Sequence, residues 1–95
     1  MPRRVTVAAA QLGPIQMAEP RPVAVARMLR LMERAAHHGA ELVVFPELAL
    51  TTFFPRHYYE SIEEADPWFE SAMPSNETEP LFSAARDFGI GFHLG

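Results

Sequence analysis

Two short apolar runs, separated by one helix-length amphipathic stretch, most constrain what this chain can fold into. The first is Arg4 to Gln11, in which Val5, Val7 and Ala9 alternate with Thr6, Ala8 and Ala10. Both sets are small or apolar, the pattern of a strand covered on both faces. Gly13-Pro14 ends it. The second is Glu41 to Pro46, ELVVFP, rich in β-branched residues and read as another buried strand. Between them Pro20 and Pro22 flank a helix start, where proline's missing N–H removes no helical bond. Val25, Met28, Leu29, Met32 and Ala36 then form one apolar stripe. Arg27, Arg30 and Arg34 fall opposite, on a face expected to be solvated, and Gly39 is placed to close the helix. Strand, helix and strand with tight connections make a βαβ unit, so the two strands are expected to be parallel.

The remainder repeats the theme less regularly. Residues 47–74 are dense in aromatics and broken at Pro55, with a short acidic helix expected over Ser61–Ser71 and interrupted by Pro67. A second helix is predicted from about Glu79 to Phe88, with Asn76 and Glu79 at capping-box spacing, Thr78 as an alternative cap and Gly89 at the end. Its apolar face is Leu81, Phe82, Ala85 and Phe88. Ile90, Phe92 and Leu94 then alternate with Gly91, His93 and Gly95 as a third strand. The element order is β-α-β-α-β. Residues 1–95 are therefore expected to be the N-terminal portion of a larger α/β domain.

Composition removes several function classes. All eight basic residues are Arg, and no basic run extends beyond Arg3-Arg4, which argues against a nucleic-acid surface. There is no Cys and no Lys, hence no disulfide, thiolate metal site or cysteine nucleophile in these residues. No stretch approaches the ~18 apolar residues that suggest a membrane span. A cytoplasmic location is expected. His37, His38 and His57 lack metal-ligand spacing, no Gly-rich phosphate loop appears, and no Ser-centred nucleophile motif appears.

The places left for chemistry are the carboxyl ends of the strands, where open α/β sheets bind ligands. Gln11, Glu47, and the pair His93 and Gly95 end the three strands, so all should share one rim. Glu47 lies between VVFP and LAL. A carboxylate in such surroundings is expected to be desolvated, which raises its pKa and suits a general base. The competing reading is a carboxylate that caps a following helix or pairs with an Arg. His93 reads as a proton shuttle or as a structural histidine. Phe53, Phe54, Tyr58 and Tyr59 read as a substrate wall or as ordinary packing, and Arg56 as a carboxylate ligand or a surface ion pair.

At VVFPELALTTFFPR the chain resembles the first catalytic motif of the nitrilase superfamily of carbon–nitrogen hydrolases. Within it the segment is most similar to the N-carbamoyl-D-amino acid hydrolase branch. QLGPI, the dipeptide Met73-Pro74, and PLFSAARDFGIGFHLG agree, so the resemblance runs from Arg4 to Gly95. It implies an αββα sandwich and a Glu–Lys–Cys triad. In that triad the cysteine attacks the carbonyl, the glutamate takes its proton, and the lysine stabilises the oxyanion. Glu47 matches the glutamate. Phe53, with Phe54 beside it, falls where the family places an aromatic residue near substrate. No metal or organic cofactor is implied. The implied ligand is an N-carbamoyl amino acid or related amide, and the parent protein is expected to form homo-oligomers. The Lys and Cys are not among these residues, so the chain alone is expected to be inactive. Position 93 departs from the resemblance, which leads one to expect Asn where His93 stands.

Overall fold

The computed structural model describes residues 2–95. The elements in order are β1 (Val7–Ala9), α1 (Arg21–His37), β2 (Leu42–Val44), 3-10 turns at Phe54–Arg56 and Ile62–Trp68, α2 (Glu79–Phe88) and β3 (Gly91–His93). The strands form one sheet in the order β1-β2-β3. Both pairings are parallel, with Ala8 opposite Val43 and Val43 opposite Phe92. This α/β arrangement agrees with the one the resemblance implies for the N-terminal part of a nitrilase-like fold. The strands are shorter than their apolar runs. Backbone bonds extend the pairing beyond them: the Glu41 amide donates to the Thr6 carbonyl, the Ala10 amide to Val44, and the Phe45 amide to His93.

Two successive right-handed crossovers moving the same way across a sheet put both helices on one face. Helices α1 and α2 indeed pack together, and one core forms beneath them. It holds Val25, Met28, Met32 and Ala35 of α1, Leu81 of α2, Val43 and Phe45 from the central strand and its extension, and Ile90. Helix α1 begins at Arg21, just after Pro20, and Gly39 follows its end with φ +84. Helix α2 ends on Gly89 with φ +64. Both glycines adopt the left-handed conformation that lets a chain leave a helix without Cβ strain.

Three expectations are corrected and one is made more specific. β1 is not covered on both faces: Val5 and Val7 are about half exposed (49% and 52%), because both helices lie on the other side. Arg27 is not on a solvated face. Its guanidinium donates twice to the Pro14 carbonyl, at 2.9 Å each, and pairs with Glu19 at 3.7 Å. This ties the β1–α1 loop to the helix. The acidic helix forms over Ile62–Trp68 as a 3-10 helix with Pro67 inside it, since proline cannot continue the i→i−4 ladder of an α-helix. No capping box forms at α2. The Ser75 amide donates to the Thr78 hydroxyl at 2.7 Å, and the Glu79 carboxylate accepts from Ser83 and Arg86 instead.

Candidate active site

Parallel pairing brings the carboxyl ends of all three strands to one edge, and Glu47 stands there beyond β2. The residues before it are held firmly. Val44 accepts from β1's side, Phe45 donates to β3's side, and Phe45 is buried at 3% exposure. The residues after it form a tight turn over 47–50. The Thr51 amide donates to the Leu48 carbonyl at 3.3 Å, and Ala49 is buried in the core. Between these two anchors the chain reverses at Leu48, whose φ is +52. A bulky L-residue in this region is strained, and such strain persists only where its surroundings enforce it. Phe45 and Ala49 supply that enforcement from either side.

Glu47 itself is exposed, which corrects the expectation of a desolvated carboxylate. Of the four apolar residues before it, Val43 and Phe45 are buried in the core and Val44 is half-buried, while Pro46 and Glu47 stand exposed on the rim. Gly95 packs against the Glu47 backbone from β3's side. A Cβ at Gly95 would lie 3.4 Å from the Glu47 Cα and 3.7 Å from the Pro46 carbonyl oxygen. The expected rim is therefore real for Glu47 and Gly95. His93 lies in register with Val44 on the sheet face away from the helices, and it is exposed.

The two candidate phenylalanines part company. Phe53 is 49% exposed and shares with Glu47 a small cleft of about 120 Å³, walled also by Leu12, Ile15 and Leu48. Phe54 turns the other way. Its ring centre lies 6.4 Å from that of Trp68, nearly parallel, and 5.3 Å from that of Phe69, which is steeply inclined to it. Tyr58 is 87% exposed and walls neither space. Leu12 and Ile15 escaped the sequence reading because they lie in an irregular loop, and only folding carries that loop across to the Glu47 turn. Among the described residues no group of three or more His, Asp or Glu could hold a metal ion, and no helix is long and apolar enough to cross a membrane.

A carboxylate at the end of a central parallel strand, on a strained turn beside an aromatic residue, can take and return a proton for a group held in the cleft. The family model for carbon-nitrogen hydrolase matches residues 6–95. The chain belongs to the carbon-nitrogen hydrolase family. The match spans β1, the whole Glu47 turn, both helices and β3. The reaction class of the family to which the chain belongs is hydrolysis of a carbon–nitrogen bond.

Proposed function

We propose that this segment carries the general base of an enzyme that hydrolyses N-carbamoyl-D-amino acids, and that Glu47 is that base. One observation carries the reading: Glu47 stands at the carboxyl end of the central strand, within the family-matched segment, and opens on a cleft shared with Phe53. The reaction consumes one water and yields the D-amino acid, ammonia and carbon dioxide. In it Glu47 accepts the proton of the attacking thiol and returns it to the departing nitrogen. The thiol and the oxyanion-stabilising lysine come from outside these 95 residues, which contain no Cys and no Lys. The complete enzyme works as a homo-oligomer. The run ALTTFFPR, like the D-carbamoyl branch, favours this substrate over those of other amidases or β-ureidopropionase-like enzymes.

A second reading concerns these 95 residues by themselves, which hold no Cys and no Lys: a non-catalytic module that docks on an intact homologue. Two experiments separate the readings. The 95-residue chain, incubated with N-carbamoyl-D-phenylalanine, should release no ammonia, because a base without a nucleophile leaves the covalent step undone. Joined to a lysine- and cysteine-bearing remainder of a carbon-nitrogen hydrolase, it should be active. Glu47→Gln should then lower kcat by about 10²–10⁴-fold, the usual contribution of a general base. Full activity of that Gln variant would rule out the assigned role.

A further inference from the structure

The 47–51 turn has a second cavity on its other side, and the reading of Glu47 leaves it unused. It measures about 280 Å³, and its wall is mostly apolar, with Leu48, Phe54, Trp68, Met73 and Leu94, and includes Glu70, whose carboxylate is ion-paired with Arg21. The cleft beside Glu47 is less than half that size. It has room for a carbamoyl-sized group and not for a ring in addition. The larger cavity has that room, since an apolar cavity of about 150 Å³ already admits benzene.

Three features make this cavity a built pocket. Its aromatic wall is ordered by ring contacts. Phe54 and Trp68 lie within 7° of parallel, and Phe69 meets Phe54 edge-on at 67°, both favoured arrangements. The segment carrying Trp68 is clamped to the first turn of α1. The Arg21 guanidinium donates to the Pro67 carbonyl at 2.8 Å and to the Phe69 carbonyl at 3.4 Å, and it is ion-paired with Glu70. Met73 supplies a flexible, polarisable wall that adapts to a ring edge. Walls held in place before binding lose less freedom when a ligand enters.

The pocket also adjoins the candidate base. Leu48 and Thr51 wall both spaces, and Gly95, at the pocket's edge, packs on the Glu47 backbone. A ligand that straddles the turn would place a small polar group on one side and an apolar one on the other. We infer that this cavity is the side-chain pocket of the substrate, and that Phe54, Trp68 and Met73 select N-carbamoyl amino acids whose side chain is apolar and carries a ring. The inference rests on the reading of Glu47 as the base.

Trp68 is the sole tryptophan, so its fluorescence reports on the pocket directly. The 95-residue chain is titrated with N-carbamoyl-D-phenylalanine, N-carbamoylglycine and 3-phenylpropionate. A saturable change is expected with the first, at a half-saturation at least tenfold lower than with the glycine compound. Met73→Glu, at a position already 49% exposed, should weaken the phenylalanine compound at least tenfold while the far-ultraviolet circular dichroism is unchanged. A second measurement does not depend on that variant. The 4-azido analogue of N-carbamoyl-D-phenylalanine, photolysed on the chain, should label residues 68–73. Equal half-saturation for the phenylalanine and glycine compounds would overturn the inference. So would labelling confined to residues 5–9 and 42–44, on the bare sheet face. Binding of 3-phenylpropionate as tight as that of the carbamoyl compound would uphold the pocket and count against the carbamoyl reading of Glu47.

Discussion

Leu48 shows how one residue can carry strain on behalf of its neighbour. Its φ of +52 costs an L-residue about 1–2 kcal/mol, and the turn that presents Glu47 depends on it. A β-branched side chain tolerates this region less well than leucine. Leu48→Val is therefore expected to destabilise the chain by about 1 kcal/mol or more, read as a lower urea midpoint at unchanged slope. The glycines give a paired test of the same physics. At Gly89, φ is +64 and an added Cβ would touch nothing, so Gly89→Ala should cost about 1–2 kcal/mol through backbone conformation alone. At Gly91 a Cβ would meet the Leu42 side chain at 3.5 Å, an ordinary contact. Gly91→Ala in β3 should be neutral or stabilising by up to about 1 kcal/mol. Equal losses at the two positions would contradict this account.

At the scale of the elements, α1 joins the sheet to the rest of the molecule. Met28 and Met32 are fully buried on its apolar stripe, and Arg21 and Arg27 reach from its flanks to two separate loops. A domain of this length has only about 0.05–0.15 kcal/mol of stability per residue. Met32→Ala, expected to cost about 2–5 kcal/mol, should thus unfold much of the population at 25 °C, seen as lost helical dichroism. Arg21→Ala should act differently. It frees the segment that walls the aromatic cavity and leaves the core untouched, so proteolysis within residues 62–70 should accelerate while the global midpoint moves little. A large fall in midpoint with no change in local cleavage would show that the Arg21 contacts support the core instead.

At the scale of the whole molecule, the sheet is covered on one side and bare on the other. Val5 and Val7 lie about half exposed on the bare face, and β1 and β3 are both edge strands. Unpaired edges beside an apolar face invite intermolecular pairing. The isolated chain is therefore expected to self-associate, and Val7→Lys should raise its monomer fraction in sedimentation velocity. A wild-type chain that stays monomeric at all concentrations would argue against this. The bare face also fits the implied αββα sandwich, in which a sheet carries helices on one side and meets a second sheet on the other.

The order β-α-β-α-β, the parallel pairing and the ends of both helices were legible in the sequence. Each rests on local physics: apolar period, proline at helix starts, and glycine in the left-handed region after helix ends. Glu47 could also be placed at a strand's end, because the strand was legible and the residue follows it. What the sequence could not carry was the surroundings of that carboxylate. Apolar neighbours along the chain suggested burial, yet Glu47 is exposed, because burial depends on which segments fold back over a residue. The same reason separates Phe53 from Phe54. Adjacent in sequence, they face two different cavities, a choice made only when Leu12 and Ile15 arrive on one side of the turn and Trp68 and Met73 on the other.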